Sequence, residues 1–181
     1  MAGGRGDFEG ISAVVLDAVG TLIDPCPSVA EVYAAAAHRQ GVKAEPEIVR
    51  VRFKEHFRRD ELDDLRGPMV TDEAIEYRRW RRIVGGVLPD LPDPERAFLE
   101  LWEHFGRAEA WRCFDDVVPA LRRLRRLGLT LYVGSNFDGR LRGVLQGLPD
   151  LADLADAVAI SSEVGYRKPH PTFYQTVCER L

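Results

Sequence analysis

The sequence predicts an α/β protein in which a parallel sheet is interrupted by a long helical insertion. Three short apolar runs lie at residues 12–16, 129–133 and 157–160. They alternate with helical patterns, as strands do when helices cover both faces of a parallel sheet. Between the first two runs, residues 28–111 carry repeated helix starts and no strand pattern. The alternation therefore predicts the sheet, and the long stretch predicts a separate helical unit.

Composition is that of an ordinary globular protein. The 181 residues are 45% hydrophobic and 30% charged, and the formal net charge is -4. This balance excludes a disordered tail, a collagen-like fibre and a basic nucleic-acid-binding surface. The longer apolar stretch at residues 11–23 contains Asp17 and matches neither a membrane span nor a signal peptide. We therefore expect neither a nucleic acid nor a membrane as partner.

The cysteines indicate the redox compartment. Cys26, Cys113 and Cys178 form neither a metal-ligand spacing nor a paired framework. Disulfides persist in oxidising compartments and are rare in the cytosol. The three residues are therefore interpreted as reduced thiols of a cytoplasmic protein.

The first half of the insertion carries two helix starts. Ser28 followed by Glu31 has the spacing of a capping box, in which each residue binds a free backbone amide of the first turn. This helix is expected to end at Gly41, since glycine suits the left-handed residue after a helix. Pro46 suits the first turn of a second helix, where its missing amide hydrogen costs nothing.

The second half of the insertion predicts two further helices. Thr71, followed by Asp72 and Glu73, is expected to cap the third, with the acidic pair at the positive end of the helix dipole. Asp93 and Pro94 begin the fourth. The apolar stripe of the fourth helix consists of Phe98, Leu101, Trp102 and Phe105. Four helices of this kind can bury one another's apolar faces.

After the insertion the chain returns to the sheet. A helix with Leu121, Leu124 and Leu127 on one face ends at Gly128 and leads into the strand at residues 129–133. Another helical segment precedes the strand at residues 157–160, and a last helix begins at Pro171. The tryptophans of the helical region, Trp80, Trp102 and Trp111, are assigned either to helix packing or to substrate selection.

Reactive side chains follow the strands at the edge where ligands bind in open parallel sheets. The first strand ends in Asp17, the second leads to Ser135 and Asn136, and the third leads to Lys168. A phosphate ester between them could be attacked by Asp17, receive a hydrogen bond from Ser135 and have its charge offset by Lys168. Mg²⁺ on the Asp17 carboxylate would be the natural cationic partner.

Three separated motifs resemble those of the haloacid dehalogenase-like hydrolases. The first is Asp-Ala-Val-Gly-Thr at residues 17–21, followed by Leu22. The second is Ser-Asn at residues 135–136, and the third is Gly-Tyr-Arg-Lys-Pro at residues 165–169. The helical insertion directly after the first motif resembles the subgroup with an α-helical cap. Their order along the chain makes the resemblance more specific than any one motif.

The resemblance implies a Rossmann-like parallel sheet with an inserted α-helical cap. The core would comprise residues 1–27 and 112–181, and the cap residues 28–111. The implied activity is that of a phosphatase-class hydrolase acting on a small phosphorylated metabolite through an aspartyl-phosphate on Asp17. Lys168 would position the phosphoryl group, with Thr21, Ser135 and Asn136 as substrate-binding residues. Mg²⁺ would bind Asp17 and the Val19 carbonyl.

Val19 departs from the pattern of the family's phosphatases. They carry a second Asp at this position, which protonates the leaving group and then activates water, and valine carries no proton to donate. General acid–base help is worth roughly a hundredfold to ten-thousandfold, so we expect turnover only with good leaving groups. The dehalogenase branch also lacks that Asp. A carbon–halogen hydrolase is therefore the alternative within enzymes.

The family's fourth motif, an acidic pair after a further strand, has no counterpart in residues 169–181, which read as a helix start. The sequence therefore predicts an incomplete core, weak Mg²⁺ binding if any, and impaired activity. A non-catalytic remnant or a fragment of a longer hydrolase is the alternative outside enzymes. The first strand would be an edge with no charge or proline to blunt it, so we expect self-association through this edge.

Overall fold

The protein has an α/β architecture, which confirms the predicted fold class. The computed structural model describes residues 9–181. Within that range the strands are β1 (Ala13–Leu16), β2 (Ile23–Pro25), β3 (Trp111–Cys113), β4 (Thr130–Ser135) and β5 (Val158–Ile160). The helices of the insertion are α1 (Val29–Arg39), α2 (Pro46–Arg66), α3 (Glu73–Val87) and α4 (Pro94–Phe105). Those that follow are α5 (Val117–Arg126), α6 (Arg140–Gly147), α7 (Ser161–Val164) and α8 (Pro171–Arg180).

The main sheet contains the three strands that the sequence predicts. Its order is β1-β4-β5, with both pairs parallel. The central strand β4 extends beyond the predicted end at residue 133, because Gly134 and Ser135 continue the pairing with Ala159 and Ile160 of β5. Ser135 is therefore the last residue of a strand. This fixes the direction in which the chain leaves the sheet.

A small antiparallel sheet joins the two chain segments that flank the insertion. In β2 and β3, Ile23 pairs with Cys113 and Pro25 with Trp111. The sequence analysis did not predict this pair, because strands of three residues are too short to show a period. The pairing holds the two ends of the insertion side by side, next to the end of β1.

Three of the four predicted helix starts in the insertion are confirmed. The Ser28–Glu31 capping box is present, α2 begins at Pro46, and Asp93 caps α4. The expectation that Thr71 caps the third helix was wrong. Asp72 is the capping residue, because its carboxylate reaches the Ile75 amide at 2.6 Å.

Two apolar clusters lie on either side of a shared boundary. One surrounds β4 and α6 and includes the fully buried Leu141 and Leu145. The other fills the space among α1, α3 and α4 and includes Tyr33 and Phe98. Phe105, at the end of α4, packs against both clusters. The insertion and the sheet region are therefore joined by an apolar contact as well as by the chain.

One edge of the main sheet carries exposed apolar side chains. Among residues 9–181, β1 pairs with β4 alone, and Val15 is 43% exposed. Self-association through this edge stays a prediction. The domain boundaries also stay predictions, and residues 1–8 of the predicted core lie outside the described range. Across the same range no helix combines the length and apolar character needed to cross a membrane.

Candidate active site

Asp17 projects from the loop that follows β1. Its Oδ1 accepts a hydrogen bond from the Ala18 amide at 2.8 Å, and 46% of the side chain is exposed. The loop turns at Gly20, whose φ of +80° is easily adopted only by glycine. The Gly20 amide then donates to the Ile23 carbonyl at 2.9 Å, which leads the chain into β2. The carboxylate is thus held by a tight turn and remains accessible.

Lys168 faces this carboxylate. Its Nζ lies 2.9 Å from Asp17 Oδ1 and donates to the Gly134 carbonyl at 2.6 Å. Asn136 holds the lysine backbone from both sides: its Oδ1 accepts from the Lys168 amide at 2.7 Å, and its Nδ2 donates to the Lys168 carbonyl at 3.1 Å. The structure therefore shows Asn136 positioning Lys168. Its predicted contact with substrate stays a prediction.

The other predicted residues differ in their relation to the site. Ser135 is only 2% exposed to bulk solvent and lines the same cavity as Asp17, Val19 and Lys168. Thr21 is exposed and is not part of the cavity lining. The strand ends therefore bring together Asp17, Ser135 and Lys168, whereas a substrate contact by Thr21 stays a prediction.

A cavity of about 430 Å³ separates this polar group from the helical insertion. Its volume lies within the usual range of small-molecule sites. Aromatic side chains dominate its walls: Tyr33, Phe53, Phe57, Trp80, Phe98, Trp102, Phe105, Trp111 and Phe137. All three tryptophans left open by the sequence analysis line the cavity. Their place in or beside the helical insertion left packing and substrate selection open, and the folded arrangement shows that they line a cavity.

A buried charge network connects the Lys168 loop to the insertion. Arg167 is 5% exposed, and its guanidinium pairs with Glu76 of α3 and with Asp64 of α2. Thr71 also donates to Glu76, at 2.6 Å. The backbones are joined as well, since the Arg167 amide donates to the Met69 carbonyl at 2.9 Å. Sequence reasoning missed these residues, because charges on a helix ordinarily predict a solvated face.

Arg140 forms a second charged element of the wall. Its guanidinium lies 3.3 Å from the centroid of the Trp102 ring, close enough for a cation–π interaction. It also pairs with Asp138, which is fully buried, through two contacts of 2.7 Å. Burial raises the pKa of Tyr33 well above its ordinary value, and the charge of Arg140 offsets part of this rise. The Tyr33 hydroxyl therefore stays neutral.

The donor set for Mg²⁺ is incomplete in the part of the chain that the structure describes. There, no three His, Cys, Asp or Glu side chains are grouped so that they could hold a metal ion. Asp17 and the Val19 carbonyl are the predicted ligands, and Mg²⁺ prefers six oxygens. These residues do not fit a tightly bound ion. Weak Mg²⁺ binding stays a prediction.

The fold and the site together define an α/β protein with a helical insertion beside a strand-end carboxylate and its paired lysine. A model of the haloacid dehalogenase-like hydrolases matches residues 11–181. The chain therefore belongs to the haloacid dehalogenase-like hydrolase family, as the three motifs predicted.

Curated relatives support this assignment. The chain is 30% identical over 170 residues to the haloacid dehalogenase-like hydrolase domain-containing protein 3 of Mus musculus, covering 91% of this chain and 66% of the relative. The Homo sapiens protein of the same name is 28% identical, with 91% and 67% covered. The chain thus spans about two thirds of the length of the curated relatives it matches.

Solved structures show the same architecture. An L-2-haloacid dehalogenase is 26% identical and superposes with a TM-score of 0.68, covering 94% of this chain and 72% of that one. A family hydrolase from Deinococcus radiodurans R1, solved with bound phosphate and sodium, is 19% identical with a TM-score of 0.59. The superposition covers 94% of this chain and 67% of that hydrolase. At this identity the similarity shows the fold alone.

Proposed function

We propose that the chain is a phosphatase-class hydrolase that acts on a small phosphorylated metabolite through an aspartyl-phosphate on Asp17. The observation that carries the proposal is the Asp17–Lys168 pair, 2.9 Å apart, at the polar end of a cavity large enough for a small molecule. A carboxylate attacks an anionic phosphoryl group only when cationic charge lies beside it. Lys168 supplies that charge.

The reaction proceeds in two displacements. An oxygen of Asp17 attacks phosphorus, the ester P–O bond breaks, and the departing alkoxide takes a proton from water. A second water then attacks phosphorus, which releases inorganic phosphate and restores the carboxylate. In both displacements the Ser135 hydroxyl donates a hydrogen bond to a phosphoryl oxygen, and Asn136 keeps the Lys168 backbone in place.

Val19 limits this chemistry. It lines the cavity two residues after the nucleophile and has no proton to donate. The leaving alkoxide therefore departs without an enzymic acid, whose help would be worth roughly a hundredfold to ten-thousandfold. We infer slow turnover of ordinary alkyl phosphates and faster turnover of esters whose leaving group is a stable anion.

A carbon–halogen hydrolase is the second candidate. Asp17 would attack carbon, the halide would leave as an anion, and water would hydrolyse the resulting ester. A halide needs no proton, so Val19 in place of an acid favours this reaction. The 26% identity to a solved L-2-haloacid dehalogenase points the same way.

A parallel assay of the two chemistries tests the proposal. The purified chain is given an aryl phosphate and, separately, 2-chloropropionate, and released phosphate and halide are measured. Phosphate release that Asp17→Asn abolishes would support the phosphatase proposal. Halide release alone would favour the second candidate. Failure of both reactions would favour a non-catalytic remnant or a fragment that needs the rest of a longer enzyme.

A further inference from the structure

We propose that the organic group of the substrate is an uncharged aromatic group, which stacks within the cavity while its phosphate meets Asp17 and Lys168. This inference deepens the proposed phosphatase function and rests on it. It is carried by the continuity of the aromatic wall and by the charge of the polar groups interspersed in it.

Seven cavity-lining aromatic residues form a continuous chain, here called the aromatic belt. In order, its members are Trp80, Phe57, Phe53, Tyr33, Phe105, Trp111 and Phe137. Successive ring centroids lie between 5.6 and 6.3 Å apart. These are the distances at which aromatic rings attract one another through edge and face contacts. The belt runs from the outer helices of the insertion to the residue that follows Asn136.

The belt presents apolar surface to an open space. Phe53, Phe57 and Trp80 are only half-buried, although they lie among the aromatic side chains of the insertion. Phe173 provides the contrast: it is 1% exposed and is not part of the cavity lining. Rings that served packing alone would be covered as Phe173 is. A flat apolar ligand would cover the exposed ring faces and gain aromatic contacts.

The charges of the wall argue against an anionic organic group. Every arginine of the lining is paired with carboxylates: Arg79 with Asp60 and Asp64, Arg140 with Asp138, and Arg167 with Glu76 and Asp64. Asp24 and Glu61 also line the cavity, and no cation among residues 9–181 lies within ion-pair distance of either. A second anion in the substrate would therefore meet unpaired carboxylates and no available cation.

A matched pair of alkyl phosphates tests the inference. Benzyl phosphate and glycerol phosphate both release an alcohol of high pKa, so the absence of an acid at Val19 penalises both. Each reaction consumes one water and yields the alcohol and inorganic phosphate. We expect kcat/KM to be at least about tenfold higher for benzyl phosphate, since its ring gains aromatic contacts that glycerol cannot make.

Variants of the belt assign the preference to named rings. Trp80→Leu and Phe57→Leu should each lower the ratio of the two kcat/KM values, benzyl over glycerol, by about threefold or more. Tyr174→Leu is the matched control, because Tyr174 is an aromatic residue that is 48% exposed and lies outside the cavity. It should leave the ratio and the rates unchanged. A ratio unaffected by both belt variants would overturn the inference.

Binding of phosphonates separates this inference from the proposed function, because their C–P bond resists hydrolysis. By calorimetry, benzylphosphonate should bind at least about tenfold more tightly than methylphosphonate. Equal affinities, no binding of either, or tighter binding of phosphocholine would overturn the aromatic preference. Selective binding without hydrolysis of any ester would support the preference and refute the phosphatase function. Hydrolysis of both esters without selective binding would support the phosphatase function and refute the aromatic preference.

Discussion

The polar floor of the cavity and its aromatic wall are built by different means. The floor consists of Asp17 in the loop after β1, Ser135 at the end of β4, and Lys168 in the loop after α7. The wall comes from the helices of the insertion, from Trp111 of β3 and from Phe137. Parallel strands align their ends, so sheet topology brings Asp17 and Ser135 to one edge. The wall depends on how separate helices pack.

The two regions also differ in how their charges are used. Asp17 is half exposed and pairs with one lysine, whereas Glu76 is 1% exposed and Arg167 is 5% exposed. A buried pair is costly to break, because removing one partner leaves an unpaired charge in a poorly solvated place. An accessible pair can exchange its partner for substrate. The floor therefore keeps its charged pair accessible, whereas the buried charges of the wall hold the insertion against the Lys168 loop.

The largest effect is expected at the floor. Asp17→Asn should reduce hydrolysis of an aryl phosphate by about a thousandfold or more, because the amide is a poor nucleophile. The melting temperature should change little, since the side chain is accessible. Steady-state phosphate release and thermal unfolding measure the two quantities. Unchanged activity in a clean preparation would show that the nucleophile is another residue.

In the wall, the expected effect is on stability. Arg167→Met should lower the free energy of unfolding by about 3–5 kcal/mol, because Glu76 would be left buried without its cation. Arg50→Ala breaks an exposed pair with Glu47 and serves as the control, with an expected cost of about 0–1 kcal/mol. Urea unfolding measures both. Equal costs would mean that the buried network contributes no more than a surface pair.

A gain of function sharpens the comparison at Val19. Val19→Asp places a proton donor beside the floor without touching the aromatic wall. It should raise turnover of an alkyl phosphate by about a hundredfold, the lower end of the usual benefit of general acid catalysis. Turnover of an aryl phosphate, whose leaving group needs less help, should rise less. Equal gains on both esters would argue against protonation of the leaving group as the missing step.

Mg²⁺ is expected to bind weakly to the floor. A site with one carboxylate and one backbone carbonyl should have a dissociation constant in the millimolar range. This corresponds to a binding free energy of about -4 kcal/mol. Titration calorimetry should therefore show little heat. A micromolar constant would contradict the expectation and would indicate that further carboxylates, such as Asp24 or Asp138, complete the site.

The smallest effect is expected far from both regions, at the start of α1. Hydrogen bonds from the Ser28 hydroxyl and amide hold the pKa of Glu31 below its ordinary value. A lowered folded pKa contributes stability that is present above the unfolded pKa and is lost as the pH falls through the folded one. Glu31→Gln should therefore slightly flatten the loss of stability between about pH 6 and pH 2. An unchanged melting profile would show that this cap contributes nothing measurable.

The sequence by itself determined the framework of this protein. Three apolar runs gave the strands of the main sheet, and Ser28, Pro46 and Asp93 marked three helix starts through local hydrogen bonding and backbone geometry. These signals act over a few residues and can therefore be recognised in the sequence before the fold is known. The meeting of Asp17 with Lys168 was also predictable, since the carboxyl ends of parallel strands share one edge.

Tertiary structure alone decided the wall, the charge network and the short β2–β3 pair. Trp80 and Trp111 show the same hydrophobicity whether they fill a core or line a cavity, and only the packing of several elements separates these outcomes. Arg167 and Glu76 are 91 residues apart in the sequence, so no local sequence pattern predicts their contact. Strands of three residues carry too little periodicity to be recognised. The strand pattern therefore predicted which polar residues meet at the floor, and long-range packing built the cavity around them.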